Sequence, residues 1–160
     1  MTESNRSDLE RRLRQVEDQL AIYQLISAYG PLADGNLHDE AASLWTEDGV
    51  YDIDLGRFEG REAIAGFLRG ELHQTLTTHG CSHILSLPHV VLGENEAVAT
   101  NYSQTIVLSD DGRFGVFRAV ISRWEFARTS EGWKVTARYN QAMNGSTAAA
   151  ALTRRVQDAS

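Results

Sequence analysis

The feature that most limits how this chain can fold is a change of hydrophobic period near residue 80. Before it, Leu9, Leu13, Val16, Leu20 and Tyr23 recur at spacings of four, three, four and three, the mark of an amphipathic helix. A second stripe, Ile22, Ile26, Tyr29 and Ala33, overlaps the end of the first, so that part of the helix has more than one face to bury. After it, apolar residues alternate. The segments His83 to Leu92, Ala97 to Ser109, Phe114 to Arg128 and Trp133 to Met143 read as strands, punctuated by Gly93-Glu94-Asn95-Glu96, Asp110-Asp111-Gly112 and Ser130-Glu131-Gly132. Helices followed by a run of antiparallel strands indicate an α+β fold with the helices packed on one sheet face. Strands this long bend, and a bent sheet closed by helices makes a cone-shaped, barrel-like pocket.

The connecting stretches fill in the rest. Gly30 and Pro31 stand where the first helix should continue, and a proline there is expected to kink or break it. Gly35-Asn36 is a turn into a short helix through Leu44 and Trp45, which Thr46-Glu47-Asp48-Gly49 ends. Val50 to Asp54 alternates as a strand. Glu59-Gly60-Arg61-Glu62 opens a helix with Ile64, Phe67, Leu68 and Leu72 on its apolar side, and His73 to Gly80 is a polar connection. Residues 1–8 are expected to be loose, 9–145 to form one domain, and 146–160 to be a tail able to form a short helix.

Composition excludes several classes of function. The 160 residues suit one domain that buries a core without staples, and 42% hydrophobic with 23% charged residues is ordinary for a soluble protein. The net charge of −7 argues against nucleic acid as a partner, since phosphate binding needs a concentrated basic surface. Arg6, Arg11, Arg12 and Arg14 are interrupted by acidic residues, as on a solvated helix face. No apolar run spans a bilayer, the N-terminus has no secretory apolar region, and a lone Cys81 rules out an internal disulfide. No membrane contact and a cytoplasmic location are the expectation.

Asp34 follows Leu32 and Ala33, so its carboxylate leaves an apolar run and needs a partner. The candidate is His83, which shares strand parity with Leu85 and so points to the apolar side. By itself His83 reads as a core histidine more readily than as a general base, while Asp34 reads equally as a turn residue and Tyr29 equally as a core aromatic. Tyr102 and Gln104 fall in one phase with Val98, Ile106 and Leu108, which makes them candidate pocket residues. Arg138 is ambiguous, because counting alternation from Trp133 through Val135 and Ala137 puts it on the opposite face. His38, His73 and His79 read as solvated, and no histidine cluster has a carboxylate near it in sequence. No metal and no cofactor are expected.

The order of elements resembles the nuclear transport factor 2-like, cystatin-like fold, and more closely its SnoaL-like branch. The resemblance rests on Ala21-Ile22-Tyr23-Gln24-Leu25, Tyr29, Asp34, Leu44-Trp45 through Asp48, Gly60-Arg61-Glu62-Ala63-Ile64, the segment from His83 to Val90, and Gly132-Trp133-Lys134-Val135. That branch includes polyketide cyclases, scytalone dehydratase, bile-acid 7α-dehydratase and hexachlorocyclohexane dehydrochlorinase. Its lytic members imply an Asp–His dyad at Asp34 and His83 and a tyrosine of dehydratase type at Tyr29, and the dehydrochlorinase implies a pocket arginine at Arg138. The function implied is a cofactor-independent lyase or isomerase, dehydratase-like, acting on a small apolar cyclic substrate such as a hydroxylated ketone, polyketide or steroid. Aldol-type cyclisation and non-catalytic binding of a small ligand are the alternatives. The resemblance also implies a homo-oligomer, a trimer or dimer.

Overall fold

The computed structural model describes residues 3–158. Its first element, α1 (Glu3–Asp34), is a single helix of 32 residues. It is helical from Glu3, so the stretch expected to be loose is largely the start of this helix. Pro31 lies inside it without ending it. The proline sits on the exposed side of the last turn, where the missing N–H forgoes one bond, to the carbonyl of Ser27. Gly35 N–H then reaches the Pro31 carbonyl at 3.0 Å, Leu37 N–H reaches that of Leu32 at 2.9 Å, and Asn36 turns the chain with φ 57°.

The next helix, α2 (His38–Ala42), stops short of Leu44-Trp45. Trp45 instead starts β1 (Trp45–Ile53), and Thr46 to Gly49, expected to end a helix, form a bulge between its two paired positions Trp45 and Val50. The Trp45 indole explains this, donating to the Val50 carbonyl at 3.1 Å and lying against Gly49, where a Cβ would come within 2.8 Å of the ring. A short β2 (Gly56–Glu59) turns back on β1, and α3 (Arg61–Arg69) follows. The polar segment after it is helical, α4 (Glu71–His79). The expected strand from His83 to Leu92 is two strands, β3 (Cys81–Leu85) and β4 (His89–Leu92). Pro88 lacks a donor, and Ser86 fills the break by bonding to the neighbouring strand through its backbone and hydroxyl. The long strands β5 (Glu96–Leu108), β6 (Phe114–Thr129) and β7 (Gly132–Ala142) match their expected spans closely, and α5 (Thr147–Asp158) makes the tail helical.

The sheet runs β2-β1-β7-β6-β5-β3, with β4 also on β5. Only β1 and β7 pair in parallel; the other pairs are antiparallel. The sheet curls but does not close: β2 is its edge on one side and β3 with β4 on the other, so the barrel expected from sequence is an open, curled sheet of the α+β class. Its concave face carries the core, where Trp45, Trp124, Phe126 and Val135 pack with Ile22 and Ile26 of α1 and Ile64 and Leu68 of α3. On the convex face, Ala149 and Leu152 of α5 cover Ile121 and Tyr139. No described helix is long and apolar enough to cross a membrane.

Candidate active site

The concave face is not filled to its end. Beyond Trp45 and Trp124 it opens into a cavity of about 220 Å³, walled by β1, β3, β5, β6 and β7 and roofed by α3 and α4. Asp34 and His83 meet at its side wall. The Asp34 Oδ1 is 2.5 Å from His83 Nδ1, and Oδ2 accepts the His83 backbone N–H at 2.7 Å. Both side chains are largely covered, 19% and 14% exposed. A carboxylate at the C-terminal end of a helix faces the negative end of the helix dipole. Burial also disfavours its charge, yet the His83 ring and backbone donors, with Cys81 Sγ at 3.4 Å, outweigh both and hold its pKa below the usual carboxylate range. With Nδ1 engaged, Nε2 is the ring nitrogen left for a ligand.

The close approach of helix and strand depends on Gly30. A Cβ there would lie 2.5 Å from the His83 carbonyl oxygen, so any side chain would push β3 away from α1. Gly30, which in the sequence stands out only as a loosening of the helix beside Pro31, is thus the contact that lets Asp34 reach His83.

Tyr29 lines the same cavity, 2% exposed and five residues before Asp34 on α1. Its hydroxyl is 3.5 Å from that of Tyr51, which also accepts from Asn140 Nδ2 at 3.1 Å. Burial, reinforced by Tyr51, raises the Tyr29 pKa well above 10, so it stays a neutral phenol.

Arg138 is inside. A second bulge decides this: Val135 pairs with Phe126 but Ala137 with Glu125, so β7 advances two residues while β6 advances one. Alternation from Trp133 holds to Val135 and reverses after Thr136. The guanidinium lies 4.0 Å from the Trp124 ring centre, 4.2 Å from that of Tyr29 and 5.0 Å from that of Tyr51. Arg138 is 1% exposed, and its Nε and Nη1 have no hydrogen-bond partner. None of the described residues lining the cavity is acidic.

Tyr102 and Gln104 are not in the cavity; both are exposed on the convex face. The inward residues of β5 are their neighbours Asn101, Ser103 and Thr105, and the last two line the cavity. Apolar residues on the convex face run in the phase of Tyr102 and Gln104, and alternation alone does not say which face is concave.

His73, expected in solvent, is 5% exposed because α4 lies over the cavity. Its ring stacks on His83 at 5.9 Å with the planes 17° apart, and neither ring nitrogen has a partner. Burial, with His83 and His38 nearby, lowers its pKa to about 4, so it is neutral at neutral pH. The signal for its burial was available: Leu72 and Leu76 beside it, at helical spacing, also line the cavity.

Asp34, Cys81 and His83 have donor atoms within 4.8 Å of one another, the grouping among the described residues best suited to a metal. A cation there would have to break the Asp34–His83 contact and ionise a thiol that burial and the Asp34 charge push up to about 12. The donor set fits a hydrogen-bonded dyad better than a metal.

Comparisons with known proteins identify the family and the fold. A family model described as a SnoaL-like domain matches residues 14–139. A nuclear transport factor 2-like protein with a cystatin-like fold from Novosphingobium aromaticivorans is 38% identical, with TM-score 0.89, covering 91% of this chain and 95% of its own. A protein from Catenulispora acidiphila, solved in complex with S-DNPA, is 21% identical with TM-score 0.68, covering 77% of this chain and 91% of its own. One of unknown function with a cystatin-like fold from Nostoc punctiforme is 15% identical with TM-score 0.68, covering 82% and 95%. No sequence among the curated proteins matches this chain.

Proposed function

The chain belongs to the SnoaL-like domain family of the nuclear transport factor 2-like superfamily, and on that premise we propose a cofactor-independent lyase or isomerase acting on a small, largely apolar cyclic substrate. A hydroxylated ketone, a polyketide or a steroid ring fits the mixture of aromatic walls and few polar groups. The observation that carries the reading is the 2.5 Å Asp34–His83 contact in the wall of a cavity that also holds a guanidinium whose Nε and Nη1 have no hydrogen-bond partner.

Asp34 accepts the Nδ1–H of His83, which fixes the tautomer with its lone pair on Nε2. That nitrogen takes the proton from a carbon next to a carbonyl, and the C–H electron pair moves onto the carbonyl oxygen. Arg138, with Tyr51 and Asn140 beside it, faces the charge formed there. A buried cation without a counter-ion has more to gain from a developing oxyanion than from a neutral ground state, which is the condition for rate enhancement. In dehydration, the enolate expels the β-hydroxyl, which takes the proton from His83 and leaves as water. In isomerisation, the proton returns at a different carbon. Asp34 stays ionised throughout and balances the imidazolium. Tyr29, a neutral phenol behind Tyr51, acts as a donor and not as a base.

The test is a panel of cyclic hydroxy-ketones, followed by ultraviolet absorbance as a conjugated enone forms. With a substrate in hand, His83→Ala should lower kcat by about 10²–10⁴, and Asp34→Asn should lower it while the protein stays folded. Turnover that survives both substitutions refutes the dyad. Turnover that survives loss of His83 but not of Asp34 points to aldol-type cyclisation. Ligands that raise Tm without being converted point to a binding module.

A further inference from the structure

The N-terminal half of α1 carries an apolar stripe that this chain does not cover. Leu9, Leu13, Val16 and Leu20 are 54–55% exposed. They lie on the side of the helix opposite Ile22, Ile26 and Tyr29, which face the sheet. The helix is held in that orientation at Asp18, whose carboxylate accepts from Arg128 at 2.6 Å and from the Trp133 indole at 2.9 Å. The stripe therefore points away from the body.

Its spacing is that of a coiled-coil seam and not of an ordinary buried face. Leu9, Val16 and Tyr23 are seven apart, and so are Leu13 and Leu20, which places Leu13 and Leu20 at a positions and Leu9, Val16 and Tyr23 at d. The flanking residues then choose an orientation. Glu10 and Glu17 fall at e, and Arg12 and Gln19 at g. In a parallel pair, Arg12 of each helix faces Glu17 of the other. In an antiparallel pair, Glu10 faces Glu17 across the seam and the like charges repel. Neither Arg12 nor Glu17 takes part in an ion pair among the described residues, so both are available to a partner.

We propose that this face pairs with the same face of a second copy as a short parallel coiled coil. Two heptads alone would be marginal, because free helices of that length pay for their own formation. Here the helix is already formed and anchored by its C-terminal half, so association pays only for docking. The symmetry is two-fold, along the helix axes, and sets the bodies on opposite outer sides of the pair.

Sedimentation velocity of the full chain at tens of micromolar should show a dimer. Substituting Leu13→Glu with Leu20→Glu, both half-exposed and so harmless to the fold, should raise the dimer Kd at least about a hundredfold while leaving the far-ultraviolet circular dichroism unchanged. Arg12→Glu should weaken the dimer, and adding Glu17→Arg should restore it. Leu13→Cys should give a disulfide-linked dimer under mild oxidation, since like a positions adjoin only in a parallel pair. A monomer at these concentrations overturns the proposal, as does a dimer indifferent to the glutamates, which would place the interface on another surface such as the sheet. A dimer lost with the glutamates but never cross-linked through position 13 overturns the parallel pairing.

Discussion

The concave face of the sheet has two ends built from the same three strands, and they differ in what those strands point inward. At one end β5 contributes Ala97 and Ala99, β6 Phe126 and Trp124, and β7 Val135, all buried and packed against α1 and α3. At the other, β5 contributes Ser103 and Thr105, β6 Arg118 and Val120, and β7 Arg138 and Asn140, all lining an open cavity. The three strands run through both ends, and their inward faces change from apolar to polar part-way along. One end is thereby committed to stability and the other keeps polar groups whose partners the chain does not supply. The polar end thus stands on strands, with Tyr29 and Asp34 brought to it by α1 and its roof supplied by α3 and α4.

The sharpest way to break the packed end is Phe126→Ala. The ring is 2% exposed and stacked near Trp124, so its loss should cost about 3–5 kcal/mol, read as a lower urea midpoint. The cavity residues lie elsewhere, so the folded fraction should keep its ligand affinity. Gly30→Ala attacks the seam between the ends. Alanine favours a helix by about 1 kcal/mol over glycine, but overpacking against a backbone carbonyl that cannot swing aside costs about 1–3 kcal/mol. The net should be a loss of about 1 kcal/mol or slightly more, together with a change in the His83 ring resonances as β3 shifts. At the open end the sign should reverse. Arg138→Leu replaces a buried, unpaired cation with an apolar side chain among Trp124, Tyr29 and Tyr51, and should leave stability unchanged or raise it by about 1 kcal/mol. The same change should abolish turnover. A loss of stability as large as that of Phe126→Ala would mean that the two ends are not distinct.

The sequence was legible where hydrophobic period and local chemistry agree. The three long strands and their turns, the buried face of α1 and the start of α3 at Gly60-Arg61 all follow from spacing and punctuation. The Asp34–His83 pair came from family resemblance joined to a local oddity, a carboxylate closing an apolar helix. Elsewhere the same rules misled. Alternation puts Tyr102 and Gln104 inward because the convex face of β5 is also partly apolar, and period alone cannot say which face is concave. The residue pattern puts Trp45 in a helix because the indole, and not the backbone pattern, organises the bulge that follows.

What the sequence determined by itself is therefore the kind of molecule: helices before strands, one curled sheet, a carboxylate and an imidazole held by separate elements, and a heptad stripe on α1 that can be counted from residue numbers alone. What the tertiary structure decided is which side chains share the cavity. Arg138 is inside because one bulge on β7 adds a single residue and reverses the alternation. His73 is buried because α4 closes over the opening, and Asp34 reaches His83 because nothing but a hydrogen stands at Gly30. Each of these turns on a shift of one residue or of about one atom, below what period and composition can register.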